Sequence, residues 1–234
     1  MLRELKQDLR SYIMPEKAAF FPRFFKTGPG EYGEGDQFLG ITVPNTRLVA
    51  KKYKDLSLSN IEQLLTSPWH EERLLALILM VNQYKKADPA TQKKLFEFYL
   101  THTATINNWD LVDTSARDIV GAYIYEHQEL LPTLDKLAES NMLWERRIAM
   151  IATFYFLTKS EPDVTIHIAT KLLSDTEDLM HKAVGWMLRE MGKRCDTQVL
   201  LEFLDTHAHI MPRTALRYAI EHLDDTTRRH YLAL

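Results

Sequence analysis

Beyond residue 44 the apolar positions of the chain recur at i, i+3, i+4 and i+7. RLVAKKY, IEQLLTS, HEERLLALILMVNQY, ATQKKLFEFYLTH, LWERRIAMIATFYFLTK and EDLMHKAVGWMLREMGK all carry that spacing, which lays an apolar stripe along one side of a helix. Short polar segments interrupt the pattern and supply caps and stops: SPWHEE, KKADPA, ESNMLWE, KSEPDV and DTHAHIMPR. No segment reads as a convincing strand. The pattern predicts an all-α chain.

The helical runs themselves recur. Those beginning near Trp69, Asn108, Leu143, Asp178 and Pro212 return at intervals of about 35–40 residues, each followed by a shorter helix. Two helices per unit at that period describe a solenoid of HEAT or armadillo type, an α-α superhelix with one helix of each pair lining a concave surface. The expectation is one such domain over residues 1–234. If the second helices line the concave side, it carries Arg73, Trp109, Asp113, Arg147, Lys182, Trp186 and Arg189, with Arg213 and Arg217 toward the end.

One stretch disturbs the stripe. In INNWDLVDTSA, Trp109 and Asp113 share a helix face one turn apart. Trp109 and Trp144 stand at corresponding repeat positions, and the same offset sets Asp113 against Ile148. A carboxylate therefore occupies a position that the next repeat fills with an aliphatic side chain. Burial without a partner would be costly. Asp113 is either salt-bridged to an arginine of the adjacent repeat, or a carboxylate aimed at positive charge developing on a ligand. Asp110 points elsewhere and suits the helix dipole as a first-turn acid, with Asn107 or Asn108 as cap.

Arginine and tryptophan also gather along the chain. Trp186 and Arg189 lie three apart in KAVGWMLRE, with Lys182 one turn earlier, and Arg146 and Arg147 open an otherwise apolar helix. Indole beside guanidinium suits a cationic or π-faced ligand, and arginine suits phosphate oxygens. The plainer alternative has the tryptophans packing repeats together and the arginines pairing with Glu145 and Glu190.

Residues 28–40, GPGEYGEGDQFLG, hold five of the eight glycines and form a loop with unusual backbone freedom. The segment lacks the ending of a P-loop, and Glu31, Glu34 and Asp36 would repel phosphate. It is either a shaped cover over one end of the concave face or an ordered connection without a ligand role.

Composition narrows the chemistry. A net charge of −3 gives no whole-protein basic field, so any nucleic-acid binding must come from a local patch. A single cysteine, Cys195, excludes an intramolecular disulfide and a Cys-based zinc site. The nine histidines are scattered, and HEERL lacks the second histidine of a zinc-binding HExxH. No metal and no cofactor are expected. The opening MLRELKQDLRSYIM is charged and amphipathic, unlike a leader peptide. No stretch approaches the ~18 consecutive apolar residues of a membrane helix. The expectation is a soluble cytoplasmic protein.

INNWDLVDTSA, LWERRIAMIATFYFL, HKAVGWMLREMGKR and MPRTALRYAIEHL, with the earlier FLGITVPNTRLVAKKY, resemble the DNA alkylation repair family of AlkD-like glycosylases over nearly the whole chain. The resemblance implies HEAT-like repeats with a concave DNA-binding face. It implies excision of cationic N3- and N7-alkylated purines from double-stranded DNA in base-excision repair, by a monomer acting at the bacterial nucleoid. The family's W-x-x-x-D element falls on Trp109 and Asp113, with the Asp as catalytic carboxylate. Its G-W-x-L-R-E element falls on Trp186 and Arg189, and its W-x-R-R helix on Arg147. The two tryptophans are expected to flank the lesion. Arg147 and Arg189 are expected to hold DNA phosphates, with Lys182 and Arg213 as further DNA contacts. Gln37, Phe38, Phe24 and Phe25 are candidates for the minor groove. Two other readings stand beside this one: a HEAT-like protein that binds distorted or branched DNA without cleaving it, and a protein-interaction scaffold.

Overall fold

A computed structural model describes all residues, 1–234, as helices and connections. No strand forms, and the one isolated bridge joins Gln37 to Trp69. No helix is long and apolar enough to cross a membrane. The chain divides into two compact units, Met1–Ser115 and Ala116–Leu234.

The first unit contains α1 (Leu2–Arg10), α2 (Pro15–Phe24), α3 (Val43–Lys52), α4 (Leu58–Leu65), α5 (His70–Tyr84), α6 (Pro89–Thr101) and α7 (Trp109–Ala116), whose last residue lies past the boundary. The second opens with a π-helical turn, Arg117–Gly121. It continues through α8 (Ala122–Glu126), α9 (Pro132–Ala138), α10 (Leu143–Ala152), α11 (Phe154–Leu157), α12 (Asp163–Leu172), α13 (Asp178–Arg194), α14 (Thr197–His207), α15 (Arg213–Ala219) and α16 (Asp225–Ala233). The repeat starts read from periodicity coincide with α5, α7, α10, α13 and α15 to within one residue. The polar breaks serve as caps. In KKADPA, Asp88 accepts from the Thr91 amide at 2.9 Å and Pro89 takes the first helical position, satisfying one orphan N–H and using a residue that has none to offer. Asp196 and Asp224 cap α14 and α16 in the same way.

In the first unit α5 is the central element. Every residue from His70 to Val81 is buried, as expected of a helix apolar on all sides, and α3, α4 and α6 pack around it. That burial includes the polar first turn, His70-Glu71-Glu72-Arg73. Arg73 is thus not on an open face, contrary to its expected place among the concave-surface residues: Asp36 and the Ser67 carbonyl hold it inside, at 2.5 and 2.8 Å.

In the second unit α13 is the hub, packed against α10, α12, α14 and α15. Its approach to α15 depends on Gly185, where an added Cβ would run into the Ala215 carbonyl and the Tyr218 Cβ. Gly121 stands in the same relation to the Ala152 carbonyl. Helix propensity alone would favour Gly185→Ala by about 1 kcal/mol. Overpacking against backbone costs about 1–3 kcal/mol and should win here. Gly185→Ala is therefore expected to lower the midpoint of urea unfolding, and an unchanged or raised midpoint would show that α13 and α15 do not meet this closely.

Candidate active site

The start of α7 is built by Asn108, which is fully buried and accepts from the Trp109 amide through Oδ1 at 2.9 Å. Its carbonyl accepts from the Val112 amide at 3.2 Å. This fixes the first turn and presents Trp109 and Asp113 on one face, both half-buried. The corresponding residues of α10 behave differently: Trp144 is buried, and Ile148 is 0% exposed. The carboxylate thus stands where its sister helix has core, on a face that α7 leaves partly open.

Aromatic rings brace the Trp109 indole from behind. Phe25 stacks on it with centroids 5.5 Å apart at 23°, and Phe24 meets it edge-on at 6.0 Å. Phe25 stacks in turn on Phe38 at 5.0 Å, and Phe38 on the His70 imidazole at 4.7 Å. Three elements far apart in sequence contribute to this column: the end of α2, the glycine-rich loop and the start of α5.

The column ends in charge. His70 Nδ1 lies 3.0 Å from Asp36 Oδ2, and its Nε2 lies 2.8 Å from Asp110 Oδ2. Both ring nitrogens face carboxylates, so each is a donor and the ring is an imidazolium. Burial alone would lower the His70 pKa, but the charge and hydrogen bond of Asp110, with those of Asp36, outweigh it and raise the pKa to about 9. Burial likewise works to raise the Asp36 carboxyl. The hydrogen bond from His70 and the charges of Arg73 and His70 prevail and hold it below the ordinary carboxylate value. Asn107 and Asn108 add amide donors to Asp36 at 3.3 and 3.4 Å.

Behind Asp113 runs a short polar chain. The Tyr99 hydroxyl meets Ser115 Oγ at 2.9 Å, and Ser115 donates to the Leu111 carbonyl at 2.6 Å. Burial, and secondarily the Asp113 charge, push the Tyr99 phenol well above its ordinary value. The tyrosine is therefore a fixed neutral donor.

The second unit carries the other expected site residues, each already engaged. Trp186 is half-buried with its ring at 64° to Phe154, 6.0 Å away. Arg189 pairs with Glu221, and Lys182 with Asp178 at 2.7 Å. Arg213 is exposed and donates to the Leu232 carbonyl at 2.7 Å. Arg147 is only 5% exposed, and its Nη1 donates to the Leu179 carbonyl at 2.6 Å, at the start of α13. Its neighbour Arg146 pairs with Asp175 at 2.6 Å. No three His, Cys, Asp or Glu side chains are grouped to hold a metal ion.

Several features escape the sequence reading. His70 is not one of a scatter of unassigned histidines but the centre of a buried ion network. Asp110, besides standing in the first helical turn, is one of its two carboxylate partners. Asp36 faces inward from the glycine-rich loop, while Glu31 and Glu34 accept from the Gly28 and Gly30 amides of the same loop. The loop is thus an ordered part of the site's support.

Residues 5–223 match the family model described as DNA alkylation repair enzyme. Comparison with curated proteins gives no significant match. Among solved structures, a protein described as a predicted DNA alkylation repair enzyme from Enterococcus faecalis aligns with TM-score 0.69 and 19% identity, over 90% of this chain and 96% of that one. AlkD2 from Streptococcus mutans aligns with TM-score 0.56 and 17% identity, over 90% and 99%. A second Streptococcus mutans protein aligns at 0.55 and 16%, over 92% and 100%. These likenesses establish a shared helical fold.

The His70 clamp has a pH signature. A pKa raised from 6.5 to about 9 means stabilisation that is complete below pH 6.5 and lost as pH rises through 9. For so buried a group this amounts to on the order of 3 kcal/mol. Wild-type unfolding free energy is expected to decline between pH 6.5 and 9.5. In His70→Gln that decline should vanish, and an identical slope in the variant would place the titrating group elsewhere.

Proposed function

The chain belongs to the DNA alkylation repair enzyme family, and we propose that it is a monofunctional DNA glycosylase that hydrolyses the N-glycosidic bond of N3- and N7-alkylated purines in duplex DNA. We place it, as a monomer, at the bacterial nucleoid. One observation carries the reading: Trp109 and Asp113 share the partly open face of α7, whereas the corresponding Trp144 and Ile148 of α10 are buried.

Alkylation at N3 or N7 leaves the purine cationic, so it departs without being protonated first. As the bond to C1′ lengthens, its electron pair goes to the purine and neutralises that charge, while positive charge grows on the deoxyribose. The Asp113 carboxylate stabilises this oxocarbenium-like sugar and takes the proton of the water that attacks C1′. The products are the free alkylpurine and an abasic sugar. Water is the only co-reactant, and with no amine nucleophile in the scheme the strand is left intact. The Trp109 π-face suits the cationic base, and its stacking on Phe25 removes the need to order it at the moment of binding.

In the second unit, Trp186 offers a further indole face. Arg189, Lys182 and Arg213 are the candidates for backbone phosphates, the first two by exchanging their pairs with Glu221 and Asp178. Arg147, enclosed and bonded to the Leu179 carbonyl, serves DNA binding indirectly by holding the start of α13.

The test is incubation with methylated duplex DNA and chromatography of the released bases. Wild type should release methylpurines. Asp113→Asn should slow release by on the order of 10²–10³ while binding the duplex unchanged. Near-normal turnover by the variant would remove Asp113 from the mechanism. Binding without release by either protein would make this a non-catalytic protein recognising distorted DNA.

A further inference from the structure

The helix α2 buries none of its residues, although its sequence ends in FFPRFF. Its aromatic side chains divide between two sides. Phe21 and Phe25 turn inward and meet the ring of Phe38. Phe20 and Phe24 turn outward, 52% and 49% exposed, and stack on each other one turn apart with centroids 5.8 Å apart at 30°. Single exposed apolar residues are ordinary, but a contiguous aromatic pair is a recognition feature.

Two observations identify what covers it. The pair is continuous with the candidate active site, because the Phe24 ring meets the Trp109 indole. Cations also stand next to the rings in sequence: Arg23 and Lys26 are exposed and form no ion pair, and Lys17 lies on the same helix, while the acids of the following loop, Glu31 and Glu34, are taken up by the Gly28 and Gly30 amides. Aromatic faces beside unpaired cations match a nucleic-acid backbone with accessible bases, whereas an apolar protein helix would leave those cations unused.

We infer that the Phe20–Phe24 face of α2 is a base-stacking wedge that extends the Trp109 surface onto the duplex beside the lesion, with Arg23 and Lys26 on the flanking phosphates. The inference rests on the glycosylase reading of Trp109 and Asp113. Phenyl groups entered between base steps unstack them and bend the duplex, and an alkylated or abasic position resists this least. The wedge therefore selects for weakened stacking, while Trp109 and Asp113 act on the cationic base and its sugar.

The probe is a duplex carrying 2-aminopurine beside a tetrahydrofuran abasic analogue, compared with an intact duplex. Wild type should raise 2-aminopurine fluorescence and prefer the abasic duplex. Phe20→Ser with Phe24→Ser should abolish the fluorescence rise and lower the preference roughly tenfold, the value of one base–aromatic stack. Phe20→Leu with Phe24→Leu keeps the apolar area without the π-faces and should lose most of the same preference. Phe20 and Phe24 are about half exposed, so circular dichroism melting should fall only slightly in each variant, and less in the leucine pair, which keeps an apolar side chain against Trp109 and Phe25. If wild type releases methylpurines and the variants keep both signals, the wedge is wrong and the glycosylase stands. If wild type neither binds the duplex nor releases base, the glycosylase reading falls and takes the wedge with it. A self-association of the wild type that the double serine variant abolishes would make this face a contact between copies, and would overturn the inference.

Discussion

Burying four consecutive ionisable side chains, His70 through Arg73, is the constraint around which the first unit is organised. Charge taken out of water is unfavourable by several kcal/mol per ion unless it is paired, and each residue of this turn draws its partner from a distant part of the chain. Lys6 and Arg10 of α1 reach Glu72 at 2.7 and 2.9 Å. The amides of Leu39, Gly40 and Ile41 donate to Glu71 at 2.8–3.1 Å. Asp36 and Asp110 enclose His70, and Asp36 also takes Arg73. The acids stand at a helix N-terminus, where the macrodipole favours them. One turn of α5 thereby fastens α1, the glycine-rich loop and the first turn of α7.

The reach of this network explains why a half-open tryptophan and carboxylate can be held in place. Asp110 follows Trp109 directly, so the His70 clamp acts on the turn that carries the indole. Phe25 and Phe38 then fill the space between clamp and indole with stacked rings. Catalysis that relies on a fixed charge near a reacting sugar needs rigidity of this kind, since stabilisation falls when the dipoles must reorganise. The polar chain from Tyr99 through Ser115 to the Leu111 carbonyl gives α7 a second anchor behind Asp113.

Much of this was written in the sequence in a form that periodicity could read. Repeat starts, the caps in KKADPA and the misplaced Asp113 all follow from spacing. The buried charges are harder to read, because HEERL looks like an incomplete zinc motif before it looks like the first turn of a helix apolar on every side from Leu74 to Val81. That all-round apolarity implies burial of the turn preceding it, so the signal was present. Arg147 was similarly legible: three residues after Trp144, it shares the face of a tryptophan that packs inward. What no spacing could supply is the pairing of Asp36 with His70, thirty-four residues apart. A flexible segment carries no period, and its carboxylates are told apart only by where the backbone turns.

That segment also divides into parts with different evolutionary freedom. Its root is locked: Gly40 takes a positive φ of 80° and an added Cβ there would collide with α2, while Glu71 occupies its amide and those of Leu39 and Ile41. Its tip is not. Gly30 has a positive φ of 74° with open space around the position a Cβ would take, and Glu31 and Glu34 satisfy amides of the loop itself. Asparagine or aspartate, which tolerate that backbone, can replace Gly30, and extra residues can be inserted there without disturbing the clamp below. Relatives of this protein are thus free to grow new elements from this point, on a loop whose root supports the candidate site, and so to add new contacts without rebuilding the clamp.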